Sequence, residues 1–179
     1  MNPEHSFHVP RSAASLAGVN EITVFGTSAV IPWLRGEAPE PWPSMELDLD
    51  LGSDELNTLV DGAIGELSPF HETHGVYAHA VSAEVFTAPP RWKARSKLVN
   101  EPTTGARVRV PRPLDLAVAK LVRGDEKDWD FAAYVVRTLD VTPEELEDGL
   151  EAVAEARPPY AIPARAARAL VRAKLSPGA

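Results

Sequence analysis

Apolar residues in the first half of the chain fall into short runs that predict β-strands. Glu21–Phe25 reads as a buried strand, and Gly26 ends it. Residues 44–51 alternate strictly between polar and apolar side chains, which is the period of a strand with two unlike faces. Tyr77–Phe86 and Lys97–Val110 supply further strands or hairpin arms, because prolines and a glycine separate them.

Shorter segments around these strands predict turns and helices. Residues 1–10 are expected to form a loose arm. Ser12–Val19 and Ser53–Ile64 each begin with a serine that can act as an N-cap, so both predict helices. Thr27–Leu34 can turn as a helix, and the three prolines within residues 36–43 predict a loop.

The second half of the chain has the spacing of amphipathic helices from Pro113 to Lys174. Gly124 fits the end of the first of these helices. Thr142–Glu145 offers a threonine cap, a proline in the first turn and a glutamate three residues after the cap, which predicts a helix start. A last, basic helix is expected at Ala164–Leu175.

Strands followed by helices predict an α+β fold, in which a small mixed sheet carries the glycine turn and the acidic strand. We expect residues 1–112 to form this sheet domain with an N-terminal arm, and residues 113–179 to form a helical part packed on it. The length of 179 residues suits one domain with a helical extension.

Composition narrows the class of protein. The chain is 44% apolar and 25% charged, as in ordinary globular proteins. It has no cysteine, which excludes disulfides, cysteine-ligated zinc and thiol catalysis and allows a cytoplasmic location. We see no secretory signal and no run of the ~20 apolar residues needed to span a membrane. The net charge of -8 disfavours non-specific binding of nucleic acid by the whole surface.

The strand at residues 44–51 carries the clearest candidate chemistry. Glu46, Asp48 and Asp50 share one face, and carboxylates two residues apart on a strand lie roughly 7 Å apart. Such carboxylates repel unless something neutralises them, and the oxygen ligands suit Mg²⁺. The alternative is an edge strand whose solvated acidic face prevents aggregation. The strand by itself leaves both interpretations open.

The glycine turn after the first strand is the second candidate. Gly26, Thr27 and Ser28 stand at a helix start, where free backbone amides and hydroxyls can bind an anion. Alternatively, a hydroxyl of this turn only caps the helix. Together, the turn and the acidic strand suggest one element that holds a triphosphate and another that holds the bridging metal.

The order of strand, Gly-Thr-Ser turn, helix, loop and Ser-Met-Glu-Leu-Asp resembles the minimal nucleotidyltransferase pattern. Residues 67–81, 89–95 and 113–131 are similar to bacterial nucleotidyltransferase-like proteins related to AbiEii-type toxins. The resemblance spans residues 20–139, and its most specific part is the segment 113–131.

This resemblance implies a nucleotidyltransferase that uses Mg²⁺ or Mn²⁺ to move a nucleotide from a nucleoside triphosphate to an acceptor such as RNA. It also implies a toxin of a toxin–antitoxin pair, with an antitoxin protein as partner. The glycine turn would bind the nucleotide through Gly26, Thr27 and Ser28. The metal ligands and catalytic acids would be Glu46 and Asp48, and the helical half would add the catalytic residues Lys120 and Asp128.

The helical half has its own electrostatics. Lys120 and Arg123 lie one turn apart on the polar side of a predicted helix, where two cations can hold phosphates. The alternative for Lys120 is an exposed, solvated lysine. Asp128 follows Asp125 by three residues, so both can instead cap the next helix.

The sequence departs from the family pattern in its acids. The first acid is a glutamate, and the third carboxylate has no clear position, because Lys97–Val110 offers only Glu101 and Asp50 is a substitute on the same strand. Loss of an acid is one way in which such folds become binding modules. The alternative function is therefore a non-catalytic nucleotidyltransferase-like module.

Two weaker patterns remain. Three histidines invite a zinc-hydrolase interpretation, although proline and glycine around them argue against helical geometry; they are His71, His74 and His79. Three arginines on one side of the last helix form either an RNA-facing stripe or an ordinary surface suited to the helix dipole; they are Arg165, Arg168 and Arg172.

Overall fold

The computed structural model describes residues 3–34 and 44–175, and the loop predicted at residues 36–43 lies outside them. The fold is α+β, as predicted, with a five-stranded mixed sheet. The chain divides into two compact units. We call Met1–Val85 with Ser96–Pro111 the sheet unit, and Phe86–Arg95 with Arg112–Ala179 the helical unit.

The sheet unit contains all five strands of the sheet. They are β1 (Glu21–Phe25), β2 (Glu46–Asp50), β3 (Tyr77–Ala80), β4 (Lys97–Asn100) and β5 (Arg107–Val110). Their order across the sheet is β3-β2-β1-β5-β4. The pairs β1–β2 and β4–β5 are antiparallel, whereas β1–β5 and β2–β3 are parallel. The strands predicted at Glu21–Phe25 and within residues 44–51 are therefore confirmed, and Lys97–Val110 forms the predicted hairpin. The strand predicted at Tyr77–Phe86 ends at Ala80, and Ala83–Val85 forms a 3₁₀ helix instead.

Three α-helices complete the sheet unit: α1 (Pro3–Ala17), α2 (Asp54–Ile64) and α3 (Pro69–His74). A 3₁₀ helix, Ser28–Trp33, occupies the short helix predicted after β1. The predicted cap of α2 is confirmed, because the Ser53 hydroxyl accepts a hydrogen bond from the backbone N–H of Leu56 at 3.3 Å.

The prediction for the N-terminus is wrong. Instead of a loose arm to residue 10 and a helix from Ser12, α1 runs continuously with Pro10 inside it. Val9 and Ala13 are fully buried and Ala14 is nearly so, which gives the helix one packed face. Burial of this face outweighs the hydrogen bond that Pro10 cannot donate.

The helical unit holds the remaining helices: α4 (Trp92–Arg95), α5 (Pro113–Arg123), α6 (Glu126–Thr138), α7 (Pro143–Ala156) and α8 (Ala161–Leu175). Gly124 ends α5 in the left-handed conformation with φ 84°, as predicted. The predicted capping box of α7 is also present: Thr142 Oγ1 accepts from the N–H of Glu145, and Glu145 Oε2 accepts from the N–H of Thr142.

The three arginines of α8 form ion pairs with α7. Arg165 and Arg168 pair with Glu151, and Arg172 pairs with Glu147 at 2.7 Å. These contacts favour the surface-helix interpretation over an RNA-facing stripe. In the part of the chain that the structure describes, no helix is long and apolar enough to cross a membrane.

Glu101 organises the turn between β4 and β5. Its Oε2 accepts hydrogen bonds from the backbone N–H groups of Thr103 and Thr104 and from the Thr104 hydroxyl, and its Oε1 lies 2.8 Å from Arg11 Nε. Burial by itself would raise the pKa of this carboxyl. The hydrogen bonds from Thr104, Arg11 and Thr103 outweigh that effect and lower the pKa to about 2. Glu101 is therefore a structural carboxylate, with its oxygens held by the turn and by α1.

Glu101→Gln should destabilise the protein by about 2–3 kcal/mol at pH 7, because charge-assisted hydrogen bonds to a buried group are lost. The folded-state pKa lies below the ordinary value of 4.5, so this stability is present above pH 4.5 and lost as the pH falls towards 2. Urea unfolding at pH 7 and pH 3 measures the difference, which should shrink at pH 3. Glu72→Gln, at an exposed position, is the matched control; an equal loss in both variants would contradict the assignment.

Candidate active site

The polar face of β2 brings the predicted acids together with residues of β3. Glu46 pairs with Tyr77 and Asp48 pairs with His79 in the parallel register of these strands. Side chains alternate across a strand, so all four project from one face of the sheet. The opposite face of β2 is apolar and buried, which confirms the predicted alternation.

Three of these side chains converge closely. His79 Nδ1 lies 2.8 Å from Asp48 Oδ1 and 3.5 Å from Glu46 Oε1. One ligand atom from each of the three residues lies within 4.8 Å of the others. The Tyr77 hydroxyl donates a hydrogen bond to the second oxygen of Glu46, Oε2, at 3.2 Å. We call Glu46, Asp48 and His79 the carboxylate–histidine cluster.

The glycine turn lies directly against this cluster. Gly26 has φ 76°, and a Cβ placed on it would lie 2.0 Å from Asp48 Oδ2. Only a residue without a side chain allows this approach. The buried Ser28 hydroxyl donates to the carbonyl of Glu46 at 3.1 Å, which ties the turn to the acidic strand. Thr27 is half-buried, and its side chain does not cap the 3₁₀ helix.

Asp50, the third acid of the strand, is used differently. Its Oδ1 accepts from the Gly52 N–H and from Asn57 Nδ2, and its Oδ2 accepts from the Ala83 N–H. These bonds fix the end of β2 to α2 and to the segment after β3. Asp50 therefore does not join the carboxylate–histidine cluster as a substitute third ligand.

The sequence pattern grouped His79 with His71 and His74 and not with Glu46 and Asp48. A third carboxylate was expected within residues 97–110, whereas β2 lies between β1 and β3. The available signal was the alternation of Tyr77 and His79 with two alanines, which is the same period as in β2.

The other two histidines lie elsewhere in the sheet unit. They belong to α3, so the prediction that helical geometry is absent there is wrong. His71 Nδ1 accepts from the N–H of Leu67, and its ring lies 4.6 Å from that of Tyr77. The His74 ring lies 4.3 Å from that of His8. The three histidines therefore do not form the site that a zinc hydrolase requires.

The predicted residues of the helical half form a cluster within the helical unit. Asp128 is fully buried and accepts hydrogen bonds from Arg123 Nε at 2.8 Å and from the N–H of Asp125 at 3.2 Å. Lys120 Nζ lies 3.6 Å from Asp128 Oδ1 and 5.1 Å from the centre of the Phe131 ring. Asp128 thus both caps α6 and binds two cations.

The alternative interpretation of Lys120 as an exposed, solvated lysine is wrong, because the residue is 9% exposed and its Nζ lies 3.6 Å from Asp128 Oδ1. The polar side of α5 is covered by α6, which the spacing within α5 could not reveal. Substitution of Lys120 would leave a buried carboxylate with one cation fewer, so it would cost stability. Its predicted role in nucleotide binding remains a prediction.

A family model described as "Nucleotidyltransferase of unknown function (DUF6036)" matches residues 7–142. The chain belongs to this family. The match includes the whole sheet and the Lys120–Asp128 segment, and it confirms a nucleotidyltransferase-like protein. No curated protein and no solved structure matches the chain.

The residues of the cluster fit a nucleotidyltransferase-like metal site. The carboxylate–histidine cluster offers two oxygen donors and one nitrogen donor, all close enough to share one ion. Gly26 leaves room for Asp48 to reach the glycine turn.

Burial and neighbouring charges shift the pKa values of three side chains in the site, Asp48, Tyr77 and His79. Burial raises the pKa of Asp48 to about 6, with Glu46 adding to the rise and His79 opposing it. Burial and the neighbouring Glu46 raise the pKa of Tyr77 to about 12, so its hydroxyl remains a donor at neutral pH. Burial lowers the pKa of His79, but Asp48 and Glu46 raise it by more, so the net shift is upward.

In this DUF6036 protein without metal, Asp48 should titrate near pH 6, which carboxyl NMR shifts can measure. The folded-state pKa lies above the ordinary 3.8, so the native state binds the proton more tightly. Stability should fall as the pH rises from about 3.8 to 6, and Asp48→Asn should remove this dependence. Glu46→Gln should lower the pKa of Asp48. Titration of Asp48 near pH 4 in the parent protein would contradict the arrangement.

Proposed function

We propose that this protein is a metal-dependent nucleotidyltransferase that moves a nucleotide from a nucleoside triphosphate to an acceptor hydroxyl. The observation that supports this most strongly is the contact between the acids and the glycine turn. Asp48 Oδ2 lies where a side chain on Gly26 would otherwise stand. A metal-binding carboxylate and a phosphate-binding turn are thus adjacent, as nucleotidyl transfer requires.

We propose the following roles for the site residues of the sheet unit. Glu46 and Asp48 would hold Mg²⁺ or Mn²⁺, and the bound ion would supply Lewis-acid stabilisation of the charge on the α-phosphate and on the leaving pyrophosphate. The Tyr77 hydroxyl donates to Glu46 Oε2, so the other oxygen of Glu46 is directed towards His79. Gly26 lets the phosphates approach the backbone, and the Thr27 hydroxyl donates to a phosphate oxygen.

The reaction exchanges one bond to phosphorus for another. The acceptor oxygen forms a bond to the α-phosphorus, the bond to pyrophosphate breaks, and the hydroxyl proton leaves to water. We propose that the acceptor is RNA and that the protein acts as a toxin with an antitoxin partner. These two points rest on the resemblance to proteins related to AbiEii-type toxins.

The helical unit supplies the remaining proposed residues. Lys120 and Arg123 both contact Asp128, and Arg123 Nε also lies 3.2 Å from Asp125 Oδ2, so the group consists of two cations and two carboxylates. Ammonium and guanidinium groups form charge-assisted hydrogen bonds with phosphate oxygens, which supports the proposal that Lys120 and Arg123 bind the triphosphate. Lys120 and Asp128, whose carboxylate contacts both cations, are the proposed catalytic residues of this unit.

A second candidate function is a non-catalytic nucleotidyltransferase-like binding module. The observation that favours it is the position of His79, whose imidazole stands beside the two carboxylates. A protonated imidazole could neutralise Glu46 and Asp48 without any metal. This alternative predicts tight nucleotide binding without transfer.

Incubation with each labelled nucleoside triphosphate, Mg²⁺ or Mn²⁺, and total cellular RNA should label a defined RNA. Asp48→Asn should reduce the rate about 10²–10³-fold, because it removes a charge that holds the metal. The matched control is Asp54→Asn, an exposed acid at the start of α2, which should transfer at the parent rate. Nucleotide binding without label in any RNA would support the binding module instead.

Expression in a bacterium should slow growth if the protein is a toxin, and the Asp48→Asn variant at the same protein level should not. The reason is that the proposed harm comes from RNA modification and not from the folded protein itself. Growth curves with immunoblots for protein level measure this. Equal harmlessness of both proteins would contradict the toxin proposal, and equal toxicity would show that the harm does not need Asp48.

A further inference from the structure

We infer that His79 is a direct metal ligand and that it makes the site favour a first-row transition-metal ion over Mg²⁺. This inference rests on the proposed metal-dependent function and specifies its metal. It assigns a role to a side chain that lies outside the acidic strand. Its test uses metal binding alone, so it can fail while nucleotidyl transfer stands.

The geometry points to Nδ1 as the ligand atom. His79 faces Asp48 directly across the parallel β2–β3 pair. Its Nδ1 lies 2.8 Å from Asp48 Oδ1 and 3.5 Å from Glu46 Oε1. The imidazole nitrogen therefore lies close to one oxygen of each acid that would hold the ion. A ligand directed at both oxygens by strand register needs little rearrangement to bind with them.

The chemistry of the donors separates the candidate ions. Mg²⁺ prefers oxygen ligands and dehydrates reluctantly, so it gains little from an imidazole nitrogen. First-row transition ions accept both carboxylate and imidazole, and nitrogen donors strengthen their binding. A set of two carboxylates and one imidazole therefore favours the transition-metal ion. With a carboxylate in place of His79, the same site would have three oxygen donors and would suit Mg²⁺.

The competing explanation is that His79 only neutralises the two acids. An imidazolium would repel a cation from Glu46 and Asp48, and the protein would then bind neither class of ion tightly. A neutral imidazole would instead offer its lone pair to the ion. The two roles therefore predict different metal affinities, which titration of the protein with metal measures.

The test is calorimetric titration of the whole protein at pH 8 with Mn²⁺ and separately with Mg²⁺, without nucleotide. Mn²⁺ is the probe because it is paramagnetic, so electron paramagnetic resonance can detect a nitrogen atom that binds it. We expect the Kd for Mn²⁺ to be at least about tenfold below that for Mg²⁺. Pulsed electron paramagnetic resonance of the bound Mn²⁺ should show coupling to a ¹⁴N nucleus.

Variants assign the nitrogen to His79. His79→Ala should weaken Mn²⁺ binding about tenfold or more and remove the ¹⁴N coupling. His79→Asp should strengthen Mg²⁺ binding, bring the two affinities closer together and also remove the coupling. His74→Ala is the matched control, since it removes an exposed histidine of the same unit, and it should change neither the affinities nor the spectrum.

Three results would overturn the inference. They are equal or tighter binding of Mg²⁺ by the parent protein, persistence of the ¹⁴N coupling in His79→Ala, and failure of the parent protein to bind either ion. In the first two cases, nucleotidyl transfer measured with Mg²⁺ would still support the proposed function. In the third case His79 is a counter-ion, and metal dependence falls together with the inference.

Discussion

The register of β2 between β1 and β3 is the constraint on which the candidate site depends. Leu47 and Leu49 are almost completely buried on one face of the strand, so the acids must lie on the other. A shift of one residue would exchange the two faces and would bury Glu46 and Asp48 in place of the leucines. Burial of apolar area thus fixes the acids opposite Tyr77 and His79. The site is a consequence of packing on the reverse side of the sheet.

The register places the carboxylates of β2 close together on one face, and the environment of each carboxylate differs. Asp48 retains an upward-shifted pKa despite the contact with His79, because burial dominates. Asp50, two residues further, avoids the problem by accepting three hydrogen bonds from neutral donors. A carboxylate satisfied in this way is structural, whereas one that stays perturbed beside a histidine has the character of a functional group. Asp48 and Asp50 lie on the same face of one strand, but their different surroundings give them different roles.

Features set by local chemistry were predictable from the sequence, and features set by distant partners were not. The strand β2, the cap at Ser53 and the capping box at Thr142 depend on neighbours within a few residues, and all were predicted. His79 joins the acids only through pairing of strands 31 residues apart in sequence. The alternation of Tyr77 and His79 with two alanines predicts that the two side chains share a face, but no local signal predicts that β3 pairs with β2. Burial of Lys120 depends on α6, and continuation of α1 through Pro10 depends on packing of Val9 and Ala13. Non-local packing decided each of these outcomes.

The contact with Tyr77 explains how a glutamate, Glu46, can occupy the position of the first acid. Glutamate has one more methylene than aspartate, so its carboxylate can adopt more positions and would lose more rotamer freedom on binding an ion. The hydrogen bond from the Tyr77 hydroxyl fixes Oε2 and leaves Oε1 3.5 Å from His79 Nδ1. Tyr77 and His79 lie on the same face of β3, so one strand both restrains the longer acid and supplies the nitrogen beside it. In the proposed metal site, Glu46 and His79 are therefore parts of one set of donors, which two paired strands bring together.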